Sequence, residues 1–348
     1  MEKISMIAID LAKVVFQLHG VDEAGRAVLQ KKIRRHGMLD FFAKLPPCRV
    51  GMEACATSHY WARSLQALGH EVVLIPPSYV KAYVRRGKND AVDAAAICEA
   101  MSRPHMRFVA VKTVDQQAAL MLHKARDLLV RERTRTGNAL RAHLAEFGLV
   151  FPLGEEGIRE AIEAWQAADD ATIPKAARPA LSALSRQYGN LKTEIAALDK
   201  EIIAWHRSHA ESIRLATIPG IGPHVASAIA ATVGDAAQFR SGREFAAWLG
   251  LTPRQNSSGG KERLGHISRQ GNSYIRRLLV LGATSQLRGS RRSKAPGGAW
   301  FEDLLQRKAA RVATVALANK TARVAWAVMA RQRNYDPGFR DRDTAPAV

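Results

Sequence analysis

Four acidic residues lie where a fold could gather their carboxylates at one point. Asp10 ends a short apolar run and Glu53 ends another, whereas Asp90 and Asp93 stand three residues apart at the start of a helical pattern. A spacing of three places both side chains on one face of a helix. Two divalent metal ions about 4 Å apart need several converging anionic oxygens, which such a set can supply. In a chain with a formal net charge of +20, this grouping suggests metal-dependent chemistry on nucleic acid.

Alternating strands and helices have to bring these residues together. Short apolar runs predict a three-stranded meander, followed by two strands joined through a helix. The predicted strands cover residues 4–9, 14–18, 26–30, 49–52 and 71–75, and the predicted helix covers residues 56–68. A parallel crossover through this helix is the economical topology. Asp10 and Glu53 then follow the carboxyl ends of two strands.

Three of the four acidic residues also have an ordinary structural interpretation. Asp90 can cap its helix, and Asp93 is favoured in the first turn by the helix dipole. Asp10 can equally begin a surface turn. A shared site is the stronger hypothesis, because two strand-terminal carboxylates and a helix-opening pair must all coincide.

The charge balance points to a polyanionic partner. The 348 residues include 52 Lys and Arg against 32 Asp and Glu, with 47% apolar residues and a pI near 10.4. This composition can bury substantial cores, and the length suggests two or three domains. Such a basic chain favours nucleic acid over a membrane surface. Basic residues recur through the second half at Arg240, Arg243, Arg254, Lys261, Arg263, Arg269, Arg276, Arg277, Arg288, Arg291, Arg292 and Lys294.

No pattern in the chain predicts a membrane anchor or a zinc site. Lys320 and Arg323 interrupt the most apolar late stretch, 312–329, and no signal peptide is visible, so we expect a cytoplasmic protein without membrane association. The three cysteines lack CxxC spacing. His206 and His209 share a helix face without a second ligand pair, which favours a polar helix surface.

The middle of the chain is predicted to be helical. Residues 116–145 and 176–209 carry apolar side chains at intervals of three and four. In the second segment these intervals resemble heptads, which indicates an antiparallel coiled coil or a protein partner. An ordinary amphipathic helix packed inside its own domain is the alternative.

Two later segments can contact nucleic acid. Residues 218–222 (IPGIG) form a turn between helices, in which Gly220 and Gly222 can expose backbone N–H groups to a phosphate. This turn looks like the hairpin of helix-hairpin-helix DNA binders, although a plain interhelical turn has the same pattern. Residues 252–271 are predicted to form a polar loop, with Asn272 capping the helix that follows.

The polar loop sets serines among glycines and cations. Ser257 and Ser258 precede Gly259 and Gly260, and the glycines allow a DNA backbone to approach closely. A serine in these surroundings is suited to attack a phosphodiester, while cations stabilise the charge on phosphoryl oxygens. A flexible surface loop explains the same residues. The cations in and around the loop are Arg254, Lys261, Arg263, Arg269, Arg276 and Arg277.

The motifs resemble a known family. Ile9-Asp10-Leu11-Ala12-Lys13, Met52-Glu53-Ala54-Cys55 and Lys88-Asn89-Asp90-Ala91-Val92-Asp93-Ala94 look like the three acidic motifs of DEDD transposases. These transposases belong to insertion-sequence family 110 with its subgroup 1111, also called bridge RNA-guided recombinases. The resemblance resumes at residues 218–222, at Gly250-Leu251-Thr252-Pro253-Arg254 and through Ser258-Gly259 to Arg276-Arg277.

The resemblance implies a fold and a mechanism. The fold is α/β plus all-α, with a ribonuclease H-like (RuvC-like) DEDD domain and its trailing helix at 1–150. This domain is followed by a helical coiled-coil linker at 151–210. The last part, at 211–348, is a mainly helical serine transposase domain with a helix-hairpin-helix-like motif. Mg²⁺ held by Asp10, Glu53, Asp90 and Asp93 would activate a serine, which the family motif places at Ser258 rather than Ser257. Attack would leave a phosphoserine and a free 3′-hydroxyl.

The resemblance also implies partners. They are donor and target DNA, an element-encoded bridge RNA, and further copies of the chain in a homodimer or homotetramer, with the two catalytic parts forming a composite site. Two other functions remain open on the residues alone. One is a RuvC-like metal-dependent junction nuclease without serine chemistry, and the other is a non-enzymatic nucleic-acid binder.

Overall fold

A computed structural model describes residues 4–80, 83, 90–256, 263–287 and 295–337, without the side chains of residues 90 and 91. Contacts between residues divide the chain into two compact units. The first unit comprises Met1–Gln116, Thr232–Phe245 and Met329–Arg331, and the second comprises Gln117–Ala231, Ala246–Val328 and Gln332–Val348. The three-part division at residues 150 and 210 stays a prediction.

A five-stranded mixed sheet forms the centre of the first unit. Its strands are β1 (Met6–Asp10), β2 (Val15–Val21), β3 (Ala27–Arg34), β4 (Arg49–Glu53) and β5 (Glu71–Ile75), in the spatial order β3-β2-β1-β4-β5. The first three pair antiparallel, whereas β4 pairs parallel with both β1 and β5. The predicted meander and parallel crossover are confirmed. β3 runs further than predicted because its ladder continues through the exposed Lys31 and Lys32, where the apolar pattern has ended.

The first four helices cover or flank this sheet. They are α1 (Met38–Phe42), α2 (Ser58–Ala67), α3 (Pro77–Val80) and α4 (Asp90–Met101). Ile9 and Met52 point to a core shared with Trp61 of α2, while Ala8 points to a second core shared with Ile97 of α4. Because side chains alternate along a strand, the sheet buries both faces.

One glycine lets α4 approach the sheet closely. A Cβ on Gly51 of β4 would lie 2.0 Å from the sulfur of Met101, so a side chain there would collide with the helix. The absence of a side chain at residue 51 therefore sets the spacing between β4 and α4.

The rest of the chain is mainly helical. The helices are α5 (Val114–Ala145), α6 (Glu155–Ala167), α7 (Arg178–Ser208), α8 (Ala210–Leu215), α9 (Pro223–Val233), α10 (Gly242–Trp248), α11 (Ser273–Ser285), α12 (Gly298–Arg307) and α13 (Ala310–Arg331). Within the described residues, none of these helices is long and apolar enough to cross a membrane.

The apolar stripe of α7 is covered by its own chain. Leu181 and Tyr188 pack in a buried cluster with Leu140 and Leu144 of α5 and with Trp165 of α6. Leu191, Ile195 and Ile202 of the stripe are also buried, whereas Leu184, Leu198 and Trp205 are partly buried. This packing fits the amphipathic-helix alternative, whereas a coiled coil with a partner stays a prediction.

The segment predicted as a polar loop contains strands. β6 (Pro253–Gln255) and β7 (Leu264–Ile267) pair antiparallel, so the prediction of a polar loop over residues 252–271 is wrong for these two segments. β6 is exposed at every position and β7 at all but its last. Such a hairpin shows no alternation of apolar and polar residues, which is the pattern by which a strand is identified from sequence.

Candidate active site

Asp10 and Glu53 lie side by side at one edge of the central sheet. β1 and β4 are parallel with Ile9 opposite Met52, so the next residue of each strand is one of the two carboxylates. Both also occupy the face that α4 covers, because each is two residues from a residue on that face, Ala8 or Gly51. The fold therefore places two half-buried carboxylates on neighbouring strands, pointing the same way.

The pKa of the Cys55 thiol depends on the two carboxylates. Desolvation and then the negative charges of Glu53 and Asp10 raise the pKa of Cys55. The charges of Glu53 and Asp10 thus both act on this one thiol. Carboxylate oxygens remain as hard donors at this edge, and they suit Mg²⁺ or another hard divalent cation.

Helix α4 carries the other two acidic residues. Asp93 precedes the buried Ala96, Ile97, Ala100 and Met101 by three, four, seven and eight residues, so it occupies the face of α4 that packs on the sheet. α4 packs against β1, β2, β4 and β5. Asp90 is the first residue of α4, and its side chain lies outside the described part of the structure.

The complete four-carboxylate set stays a prediction. Among the side chains that the structure describes, no three of the His, Cys, Asp and Glu type lie close enough together to hold a metal ion. The fold establishes only part of this set. It brings Asp10 and Glu53 together and puts Asp93 on the helix face turned toward their side of the sheet.

The predicted serine segment lies outside the described residues. Ser257, Ser258 and Lys261 all fall there, whereas its flanks are described. Asn256 N–H donates to Arg263 O at 2.8 Å, so the two ends of the segment are hydrogen-bonded neighbours. The serines thus occur in the connection between paired strands.

Backbone contacts fix the base of this hairpin. A Cβ on Gly271, which has a φ of +72°, would lie 1.8 Å from Trp248 O, and one on Gly250 would lie 2.2 Å from Gln270 O. Only glycine allows this approach. Arg276 donates from Nη1 to Leu249 O and to Gln270 O, both at 2.8 Å, and so ties α11 to the same base.

The predicted basic contacts differ in their surroundings. Arg276 is engaged with backbone carbonyls, and burial together with the charge of Arg269 lowers its pKa. Arg277 forms an ion pair with Asp127 and lies over the Tyr274 ring, yet about half of its side chain remains exposed. Arg254, Arg263 and Arg269 are exposed around the hairpin. Arg276 thus stabilises the fold, whereas the side chains of the other arginines stay wholly or partly exposed.

The Pro and Gly turn joins α8 to α9 and packs on α11. Gly220 has a φ of +89°, and a Cβ on Gly282 of α11 would lie 2.0 Å from Gly220 O. Gly222 faces open space. An open groove of about 520 Å³ runs along the turn, lined also by His224 and Gln286. Gly282 is therefore required for packing and Gly220 for its backbone conformation, while Gly222 and the groove are accessible.

A buried polar network was missed by the sequence interpretation. His123 of α5 is 1% exposed, with Nε2 3.0 Å from Ser227 Oγ of α9 and Nδ1 3.0 Å from Tyr274 Oη of α11. Ser227 Oγ donates to Pro223 O at 2.7 Å, so it accepts from His123, and His123 accepts from Tyr274. A lone histidine on an apolar helix face was the only signal in the sequence.

Comparison with known proteins identifies relatives along the whole chain. A transposase model for the DEDD domain of IS110 elements matches residues 7–149, and the model described as the transposase IS116/IS110/IS902 family matches residues 212–296. The chain is 48% identical over 336 residues to a probable family 20 transposase of Pseudomonas aeruginosa, covering 96% of this chain and 99% of that protein.

Two named insertion-sequence transposases are also similar. The IS1328 transposase of Yersinia enterocolitica is 40% identical over 94% of this chain and 97% of its own length. The IS1111A transposase of Coxiella burnetii is 38% identical over 97% of this chain and 93% of its own length. The predicted family is thereby confirmed, and its DEDD domain indicates dependence on a divalent metal. The chain belongs to the IS116/IS110/IS902 family of insertion-sequence transposases.

Proposed function

We propose that this transposase cleaves, exchanges and rejoins DNA strands through a phosphoserine formed on Ser258, with Mg²⁺ held by four carboxylates. The observation that carries the proposal is the register of β1 on β4, which sets Asp10 beside Glu53 on the face of the sheet covered by the helix of Asp90 and Asp93. Two adjacent strand-terminal carboxylates of this kind suit a nuclease-like site.

Bound Mg²⁺ would polarise the scissile phosphate and lower the pKa of an oxygen nucleophile. Asp10 and Glu53 would hold it from the strands, and Asp90 and Asp93 from α4. The donor set fits a hard cation, because carboxylates supply the oxygens.

Ser258 would carry the covalent step. Its Oγ forms a bond to phosphorus as the bond from phosphorus to the 3′-oxygen breaks, and the serine proton passes to the departing 3′-oxygen. A phosphoserine and a free 3′-hydroxyl result. The reverse attack by the 3′-hydroxyl of a second duplex restores the serine and rejoins the strands. Lys261 and Arg263 would stabilise the charge on the phosphoryl oxygens.

Nucleic-acid partners follow from the charge and the family. Donor and target DNA would contact the accessible Gly222 turn, in the manner of a helix-hairpin-helix motif, and the exposed Arg254, Arg269 and Arg277. A bridge RNA would choose the two DNAs by base pairing. Assembly as a homodimer or homotetramer, with α7 contributing coiled-coil contacts, belongs to the same proposal.

A labelled DNA substrate tests the serine. On a denaturing gel, wild-type protein with Mg²⁺ should give a covalent adduct, which Ser258→Ala removes while binding persists. Ser257→Ala is the matched control and should have a milder effect. An adduct that survives Ser258→Ala excludes this nucleophile, and loss only in Ser257→Ala moves the role by one residue.

The same experiment separates the two rival functions. A junction nuclease cleaves with Mg²⁺ without forming an adduct in any variant. A non-enzymatic binder shows neither cleavage nor adduct.

A further inference from the structure

Gln17 is a buried polar residue next to the predicted metal-binding edge. It lies on β2 directly opposite Asp10 of β1, and only 7% of its surface is exposed. Residues directly opposite each other in an antiparallel pair project from the same face of the sheet, with Cβ atoms about 5 Å apart. Val21, four residues further along β2, packs in the core shared with Ile97 of α4. Gln17 therefore occupies the face of the sheet that α4 covers, together with Asp10 and Glu53.

The side-chain oxygen of Gln17 has no hydrogen-bond partner among the described residues. Gln17 Nε2 donates to Leu18 O at 3.4 Å. Because that carbonyl is an acceptor, the nitrogen of the amide has to face it, which leaves the oxygen unpaired. Gln17 Oε1 is shielded from solvent, and no donor in the described part of the chain bonds to it. A buried acceptor without a partner costs free energy, so its place in the fold calls for a hydrogen-bond donor or a cation from outside the chain.

A divalent cation satisfies this oxygen better than a single trapped water does. Asp10 and Glu53 carry their carboxylates on the same face of the sheet, and Asp93 is on the face of α4 that packs there. Amide and carboxylate oxygens are all acceptors, whereas one water donates only two hydrogens. Hard cations such as Mg²⁺ and Mn²⁺ take carbonyl and carboxylate oxygens together and bring their own waters as donors. The amide oxygen thus completes a set of acceptors suited to a cation.

We propose that Gln17 belongs to the divalent-cation site and supplies a neutral oxygen to the cation held by Asp10 and Glu53. This inference deepens the proposed function and rests on its metal site. A neutral oxygen favours cation binding without adding to the repulsion among carboxylates in the metal-free protein. It also adds a ligand from a third strand, so β1, β2 and β4 would all contribute to the position of the cation.

Mn²⁺ binding tests this role without DNA or catalysis. The full-length protein is titrated with Mn²⁺, and free Mn²⁺ is measured from its electron paramagnetic resonance signal. Gln17→Met keeps the length of the side chain but removes the oxygen, and it should weaken Mn²⁺ binding by about 10–100-fold. Gln17→Glu keeps an oxygen at the same position and should bind Mn²⁺ at least as tightly as wild type. Gln30→Met, at an exposed glutamine of β3, is the matched control and should bind normally.

Thermal unfolding separates a residue of the cation site from a residue that only packs. In EDTA, Gln17→Met should be at least as stable as wild type, because it removes a buried oxygen that lacks a partner. At the same Mn²⁺ concentration, the melting temperature of wild type should rise more than that of Gln17→Met. The reason is that a ligand stabilises the folded state more when it binds more tightly.

Two outcomes overturn the inference while the metal site stands. One is Mn²⁺ binding that is weakened in Glu53→Gln but unchanged in Gln17→Met. The other is an equal fall in the melting temperature of Gln17→Met in EDTA and in Mn²⁺, which would make Gln17 a packing residue. Wild-type protein that binds no Mn²⁺, or binding that Glu53→Gln does not weaken, overturns the metal site and the inference with it. Failure of the Ser258 chemistry alone leaves all of these measurements unchanged.

Discussion

Two single residues form the predicted metal-binding edge of the sheet. Asp10 and Glu53 each end a strand, and the parallel register makes them neighbours. Their charges, after desolvation, raise the pKa of the Cys55 thiol, which shows that both act within one small region.

Glu53→Gln should abolish strand cleavage and leave the fold intact. The amide keeps the shape of the side chain but removes an anionic ligand, and a shared divalent site loses both charge and position. Cleavage of labelled DNA in Mg²⁺ measures the effect. Asp40→Asn, an exposed acidic residue on α1, is the control and should cleave normally. Normal cleavage by Glu53→Gln would remove this residue from the site.

Pairs of helices are held together by close backbone packing and by buried hydrogen bonds. Gly282 lets α11 press against the turn before α9, and His123 joins α5 to α9 and α11. These contacts fix the turn carrying Gly222 relative to the helix that follows the serine segment.

Gly282→Ala should destabilise the protein by about 1–3 kcal/mol, because its Cβ meets the Gly220 carbonyl at 2.0 Å and backbone must move. Gly189→Ala is the matched control. It is also a helical glycine, but it is exposed with nothing within 4 Å, so alanine should stabilise by about 0.5–1 kcal/mol. Denaturant unfolding measures both changes. Equal effects in the two variants would contradict the packing role of Gly282.

Stability should fall as the pH drops below about 6.5, with His123 as one cause. Burial first, and then the charges of His224 and Arg126, lower the pKa of His123 from 6.5 to about 4. Between these values the unfolded chain binds a proton that the folded chain does not, so acid favours unfolding. The contribution of neutral His123 to the free energy of unfolding is fully present above pH 6.5 and is reduced by about 3 kcal/mol at pH 4.

Unfolding free energies from pH 7.5 to pH 4 check this expectation. His123→Gln should be less stable than wild type at pH 7.5 and should depend less on pH, because glutamine does not titrate. Identical pH dependence in the two proteins would show that His123 does not contribute.

The whole molecule is a strongly basic chain with the charge of a nucleic-acid binder. Its net charge is +20, and exposed arginines surround the β6–β7 hairpin. A field of this sign attracts DNA and RNA irrespective of sequence, whereas specificity needs further contacts.

Affinity for DNA should therefore fall by about 10³-fold between 50 and 200 mM salt if about six phosphates are contacted. Neighbouring arginines should differ in this assay. Arg277→Gln should lessen the slope, since about half of that side chain is exposed. Arg276→Gln should mainly lower the melting temperature, because two backbone carbonyls lose a charged donor. Affinity that does not vary with salt would contradict an electrostatic interface.

The sequence by itself determined the local patterns of this protein. Apolar runs predicted all five strands of the sheet, helical spacing predicted α5 and α7 to within two residues, and the acidic motifs predicted the family. Each of these depends on residues close together in the chain. The exposed β6–β7 hairpin lacks such a pattern, and it was missed.

Tertiary structure decided everything that depends on distant residues meeting. The register of β1 on β4 makes Asp10 a neighbour of Glu53, and Gly51 admits α4 through its contact with Met101. Lys112 reaches His59 across more than fifty residues, and His123 reaches Tyr274 across 151. No spacing in one sequence encodes these contacts, because they follow from how packed elements share space and satisfy buried polar groups.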